Sequence, residues 1–214
     1  MKRMRVLSSC ILFLMVSSAP AQVFRAYGLK IGAVQAEQRW DYSPHSGVSA
    51  SGINPIWGLD AGVFVEFFRF PNFSVLTELH YVQRGRTVTA VATAPANNPQ
   101  GYIDLGPAEV NHRLIYLGIP LLAKLRIESE KVTPYVAFGP RFEYLASYPS
   151  SPVYDHFRKT EFNANVVAGF ELSLGFIPTV IAEIAFNVSL TNAFRNELVT
   201  VKNRSLSYLV GITL

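Results

Sequence analysis

The chain has 214 residues, 16 % of them charged, and a mean hydropathy of +0.22. That length fits one domain or one barrel, and no stretch beyond the N-terminal segment holds the roughly 18 uninterrupted apolar residues that a membrane helix needs. The formal charge of +4 is mostly local, because Lys2, Arg3 and Arg5 head the chain; without them about +1 remains, which is no argument for a nucleic-acid partner.

Those three bases precede an apolar stretch over 6–16 and an Ala19-Pro20-Ala21 cleavage pattern. Together they read as a secretory signal peptide over 1–21, followed by a mature domain over 22–214. Cys10 is the only cysteine and falls inside the leader. The mature chain is therefore expected to hold no disulfide, no thiolate metal site and no thiol nucleophile.

Beyond the leader the dominant signal is period-2 alternation, which places successive side chains on opposite faces of a strand. The first strand is expected over 27–39, with Leu29, Ile31 and Ala33 opposite Lys30 and Gly32. A Ser/Gly/Pro-rich loop over 41–55 leads to a second strand, 57–68. There Trp57, Leu59, Ala61, Val63, Val65 and Phe67 oppose Asp60, Gly62 and Glu66. A tight turn, Arg69-Phe70-Pro71-Asn72, starts a third strand over 73–88, with Val75, Leu79 and Tyr81 against Glu78, His80 and Arg84. The segment 90–109 is rich in Ala, Pro, Asn and Gly and reads as the longest irregular connection.

The fourth strand, 111–127, sets Ile115, Leu117, Ile119, Leu121, Ala123 and Leu125 against Tyr116, Gly118, Lys124 and Arg126. After a turn at 128–131, the fifth strand covers 133–147. Pro134 at its start and Pro140 inside it predict a bulge and leave its facing open. A loop over 148–159 precedes the sixth strand, 162–174. Its apolar register (Phe162, Ala164, Val166, Ala168, Phe170, Leu172, Leu174) opposes Asn163, Asn165, Val167, Gly169, Glu171 and Ser173. After a turn at 175–179, the seventh strand, 180–191, opposes Val180, Ala182, Ile184, Phe186, Val188 and Leu190 to Glu183, Asn187 and Ser189. A loop at 192–199 leads to a last strand ending Leu206, Tyr208, Val210, Ile212, Leu214.

The fold class expected from this is all-β, an eight-stranded antiparallel up-and-down transmembrane barrel. The connections alternate long and short, as external loops and periplasmic turns do in outer-membrane barrels. The structural rival is a soluble lipocalin-like barrel with an apolar interior. Residue size separates the two. The polar register carries small residues (Gly28, Gly32, Gly58, Gly62, Gly118, Gly169, Gly211), which suit a narrow filled lumen. The apolar register is bulky, with Trp57, Phe67, Tyr81, Tyr135, Phe162, Phe186 and Tyr208 near strand ends like interfacial girdles. Lipid is then the first partner, with barrel-insertion machinery during assembly, and the location is the outer membrane of a Gram-negative cell.

Several strands also resemble a known family. Tyr116-Leu117-Gly118-Ile119-Pro120-Leu121-Leu122-Ala123-Lys124 resembles the YLxIPLLxK strand of the PorT-like outer membrane β-barrel family of Bacteroidota. Glu78-Leu79-His80-Tyr81-Val82-Gln83-Arg84-Gly85 is similar to its ELxYxxKG strand, and Pro134-Tyr135-Val136-Ala137-Phe138-Gly139-Pro140 to its PYxxxGP strand. Ala168-Gly169-Phe170-Glu171-Leu172 falls where the family has a glycine-rich sixth strand. The resemblance implies an eight-stranded outer-membrane barrel and, for the family's namesake, a link to protein secretion. It does not imply one activity, because a fold does not carry a function.

Nine charged residues occupy the polar register: Lys30, Asp60, Glu66, Glu78, Arg84, Lys124, Arg126, Glu171 and Glu183. Opposite charges packed in a narrow lumen satisfy one another. A structural interior network is expected, centred on Lys124 between Glu78 and Glu171, with His80 near Glu78 and Glu66. None of His45, His80, His112 and His156 shows metal-ligand spacing, and no phosphate loop is present, so neither metal nor cofactor is expected. His112 and Asp155-His156 are candidates for a rim hydrolase or acyltransferase site, but nucleophile and oxyanion donors cannot be placed. The expected function is therefore non-enzymatic: structural, adhesive, or accessory to protein export through the external loops, with envelope or secretion proteins as partners. A rim enzyme and a narrow solute pore are the alternatives.

Overall fold

The computed structural model describes residues 23–42, 53–68, 70–94, 103–150, 152–173, 175, 178–195 and 199–214. The expected leader over 1–21 with Cys10, together with His45, Arg69 and Leu174, lies outside the described residues. Among the described residues no helix is long and apolar enough to cross a membrane.

Eight long strands form the sheet: β1 (Phe24–Tyr42), β2 (Ile56–Phe67), β3 (Phe73–Ala94), β4 (Ile103–Arg126), β5 (Val132–Ser147), β6 (Thr160–Leu172), β7 (Val180–Ser189) and β8 (Val199–Thr213). Each pairs antiparallel with its sequence neighbours. β1 also pairs with β8, from Gly28↔Thr213 to Tyr42↔Val199. The sheet is thus closed and up-and-down, with no free edge, which is what a hydrocarbon environment requires of strands. A two-residue strand, Ile53–Asn54, adds a short pairing to Val88 and Thr87 of β3.

Burial inverts the pattern of a soluble barrel. Ile31 and Val166 on the outside are 60 % and 52 % exposed, whereas Lys30 and Asn163 inside are 3 % and 0 % exposed. Leu121, Phe138, Ile184 and Val210 are also exposed. Such an apolar outer surface, continuous around all eight strands, matches a lipid-facing band.

Four local expectations are corrected. The segment 90–109 is not mainly loop: β3 and β4 continue through it, paired from Ala90↔Ala108 to Ala94↔Ile103. Cross-strand hydrogen bonding outweighs a composition that disfavours strands; the centre of the connection, 95–102, lies outside the described residues. Next, β5 passes through Pro140 without a register shift, and the irregularity falls instead where Ile115 faces Ser147 and Tyr116 faces Leu145. With the pairing settled, β5 turns Val136, Phe138, Phe142 and Tyr144 outward and Tyr135, Ala137, Arg141, Glu143 and Leu145 inward. Tyr135 is therefore an interior residue rather than part of an aromatic girdle. Finally, the loop after β5 contains a short helix, α1 (Pro152–Asp155), and Phe157 forms a bridge with Phe194.

Candidate functional site

The alternation that turns apolar side chains to lipid delivers the polar ones to a single lumen, where the pairing register decides which of them meet. At the end bearing the short turns, Lys124 donates to Glu66 over 3.0 Å and pairs with Glu171. Arg126 pairs with the same Glu66 and donates to Ser74 Oγ over 2.5 Å. Arg25 Nε lies 3.1 Å from Glu66. Lys124 is thus flanked by Glu66 and Glu171, not by Glu78.

Glu78 belongs to a second cluster, midway along the barrel. Lys30 pairs with Glu78 and donates to Glu183 over 2.7 Å. The His80 ring lies between two carboxylates, Nδ1 2.6 Å from Asp60 and Nε2 2.6 Å from Glu78; Glu66 is not among its partners. Ser207 donates to the other Asp60 oxygen over 2.7 Å, and Tyr135 donates to Glu183.

A third cluster lies towards the end bearing the long loops. Arg84 donates to Glu143 over 2.6 Å, Arg141 Nε lies 2.7 Å from the other Glu143 oxygen, and Asn163 donates to Glu143 over 2.5 Å. Gly118 makes room for this arrangement, since a Cβ there would collide with the Arg141 guanidinium. Beside it, Glu161 accepts from Tyr116 over 3.0 Å and from Asn203 over 2.7 Å, and Gln38 donates to Asn203 over 3.0 Å.

Charge is nearly matched inside. Among the described residues the buried bases Lys30, Arg84, Lys124, Arg126 and Arg141 face the buried acids Asp60, Glu66, Glu78, Glu143, Glu161 and Glu183. His80 supplies the remaining cation when both of its nitrogens carry protons, the only form that donates to two carboxylates at once. Arg25 and Glu171, partly exposed, add one charge of each sign at the mouth. An eight-stranded interior is just wide enough for side chains to fill it, and these three clusters do so.

The structure adds Arg141, Glu143, Glu161, Tyr116, Tyr135 and Asn203 to the network that the sequence predicts. The Arg141-Phe142-Glu143 alternation carried the signal for two of them, but the prolines of β5 obscured its facing. Glu161 sits one residue before the expected start of its strand.

The end bearing the long loops is closed differently. Trp40, Leu114, Tyr116, Leu145, Tyr154, Phe157, Ala193 and Val201 form one buried cluster, with Tyr148, Phe194 and Val199 packed against it. Phe157 is its hub: its ring centroid lies 5.1 Å from Tyr154, 5.9 Å from Trp40 and 5.6 Å from Phe194 in an edge-on contact. Arg86 covers the Trp40 ring at 4.0 Å, a cation–π contact. Asn192 Oδ1 fixes the last loop by accepting from the Phe194 and Val201 amides over 3.0 and 2.8 Å. Burial pushes the Tyr154 phenol above its usual range, with Arg86 opposing the shift.

The two rim histidines each lie against an aromatic ring, and Asp155 and His156 are exposed. The His112 ring lies tilted against Tyr154 with centroids 5.5 Å apart and His156 tilted against Phe194 at 6.0 Å, while Asp155 ends α1. Among the described residues no group of three or more His, Cys, Asp or Glu is placed to hold a metal ion.

The chain is similar to solved structures of outer-membrane proteins at low identity. The chain is 10 % identical to the outer membrane protein OprG from Pseudomonas aeruginosa, with a TM-score of 0.52 over 90 % of this chain and 97 % of that one. It is 14 % identical to Neisserial surface protein A, with a TM-score of 0.46 over 89 % and 99 % of the two chains. It is 12 % identical to the attachment invasion locus protein of Yersinia pestis, solved with the heparin analogue sucrose octasulfate, with a TM-score of 0.44 over 90 % and 99 %. No curated protein matches the chain. Residues 21–195, spanning β1 to β7 and their connections, match the outer membrane protein beta-barrel domain family, and the chain belongs to that family.

Proposed function

We propose that this protein is a non-enzymatic outer-membrane barrel that works through its external face, as a structural or adhesive element or as an accessory to protein export. The observation that carries this reading is the closed outer mouth. Trp40, Tyr154, Phe157 and Phe194 pack over a lumen already crossed by three ion clusters. A side-chain-filled barrel offers no wet path for solutes, and its exposed loops are then the parts free to meet other molecules. The charged interior network is structural in this reading. The leader over 1–21 directs export, and the Tyr116–Lys124 stretch supports placement among the PorT-like barrels of Bacteroidota.

Single cysteines at Asp155 and Arg195, in a chain left without thiols once the leader is removed, test the external placement. A membrane-impermeant maleimide should label both on intact cells, and a photocrosslinker attached there should capture an envelope, secretion or extracellular protein. Labelling only after the membrane is permeabilised would overturn the external-face reading. Steady conductance of the purified protein in planar bilayers would overturn the closed barrel in favour of a pore.

A further inference from the structure

Two recesses lie one above the other on the outer surface along the seam where β1 joins β8 and β2. The lower is an apolar trough of about 710 Å³, walled by Leu29, Ile31, Val63, Tyr81 and Val210. Its floor is Ala61, register partner of both Ile31 and Tyr81, where the bulky outward side chains drop away to a methyl group. Towards the external loops Trp57 stacks on Tyr208, with ring centroids 6.2 Å apart. The upper recess, about 220 Å³, lies between Gln35, Glu37, Phe186, Arg204 and Leu206.

Here the outward register of β1 and β8 changes from apolar to charged. Arg39 and Lys202 are register partners, and both are exposed. Arg204 donates from Nε to Glu37 over 2.6 Å, which fixes its guanidinium at the surface with 57 % of the side chain exposed. Arg39 Nε lies 3.1 Å from Asp41. Three bases thus meet two acids, and Lys202 has no acid partner among the described residues.

We propose that this seam is a binding site for a lipid of the outer leaflet that carries a phosphate and a net negative charge. Its acyl chain lies in the Ala61 trough, the Trp57–Tyr208 pair marks the interface, and its phosphate meets Lys202, Arg204 and Arg39. The spacing fits. From Ile31 to Arg39 the strand advances roughly 27 Å at ~3.4 Å per residue, or roughly 20 Å of depth at the ~40° tilt of such barrels. The apolar band is about 25 Å tall, so a trough centred on Ile31 lies within it while Arg39 and Lys202 stand beyond its edge. Stacked amphipathic rings occupy the headgroup level in membrane proteins generally. Guanidinium and ammonium groups are the natural partners of phosphate oxygens. Glu37 orients Arg204, and the unpaired Lys202 supplies the net attraction.

Trp57 reports on the site directly, because the second tryptophan, Trp40, is buried in the outer plug. The refolded protein is placed in phosphatidylcholine vesicles containing a small, equal fraction of brominated phosphatidylglycerol or of brominated phosphatidylcholine. Quenching of Trp57 should show the anionic lipid enriched about fivefold at the seam, the gain from about one surface base near a phosphate. The triple variant Arg39→Gln, Lys202→Gln, Arg204→Gln should abolish that preference. Ala61→Phe, which fills the trough on the lipid side, should weaken it with every base in place. Arg113→Gln, an exposed base on β4, should leave it unchanged. Equal quenching by the two lipids, a preference that survives the triple variant or Ala61→Phe, or one that disappears with Arg113→Gln would each overturn the site.

Discussion

Lys30 and Glu183 are 153 residues apart in the chain, and their side chains meet over 2.7 Å inside the barrel. Because the same ammonium also pairs with Glu78, one residue of β1 ties β7 to β3 across the lumen. Loss of one partner from such a buried set strands the others without water. Lys30→Met should therefore cost about 3–5 kcal/mol, the usual penalty for breaking a buried pair. Lys124→Met should cost less, since Glu66 keeps Arg126 and Arg25 and Glu171 is partly exposed at the mouth. The order can be read from urea midpoints of the two variants refolded in the same micelles. An unchanged midpoint for Lys30→Met would show that its carboxylate partners are solvated.

The outward and inward faces of β1 to β4 and β6 to β8 were legible in the sequence because period-2 alternation carries them directly. Contacts between strands were not. Glu66, Glu78 and Glu171 all sit in the polar register, but whether Lys124 meets Glu66 or Glu78 depends on the stagger between β2, β3 and β4, which no single strand encodes. Tyr135 was misplaced because an aromatic near a strand end also fits a girdle, and the two prolines of β5 hid the alternation that would have settled it. The outer plug was invisible for a different reason. Tyr154, Phe157, Ala193 and Phe194 come from segments with no periodic signal, and they meet through the Phe157–Phe194 bridge and through ring contacts that no local pattern encodes.

On the lipid face, Val166, Ala168 and Phe170 are exposed, while Asn165 and Val167 on the same strand are buried. Ala168→Arg should lower stability by roughly 2–4 kcal/mol, as arginine does near the bilayer midplane. Facing is tested separately with single cysteines. Lipid-embedded quenchers should reach fluorophores at 166, 168 and 170 and spare those at 165, 167 and 171. The reverse pattern would move Glu171 and its partners out of the lumen.

Gly118 offers a test of how tightly the third cluster is packed. Its missing Cβ is replaced in space by the Arg141 guanidinium. Gly118→Ala should push Arg141 away from Glu143 and cost about 1–3 kcal/mol, the range for overpacking a filled core. Gly118→Ala combined with Arg141→Ala should recover less stability than the space alone would give, because Glu143 then keeps only Arg84 and Asn163 as partners. A neutral Gly118→Ala would mean that Arg141 has a second low-energy position, and the cluster would be looser than its contacts indicate.

The outer plug predicts a local effect separable from barrel stability. Phe157 is buried against Trp40, Tyr154 and Phe194, but its backbone lies outside the long ladders, joined to Phe194 by an isolated bridge and donating to the Tyr154 carbonyl over 3.0 Å. Phe157→Ala should remove the hub of the cluster, a change of about 3–5 kcal/mol for a buried phenylalanine, while the eight-stranded ladder stays intact. In a Trp57→Phe background only Trp40 fluoresces, so aqueous iodide reads the plug alone. Quenching should be weak in that parent and rise several-fold with Phe157→Ala, with no change in heat-modifiable mobility on gels. Strong quenching already in the parent would mean that water reaches Trp40 past Arg86 and the loops, and the closed mouth would no longer support a barrel that works only through its external face.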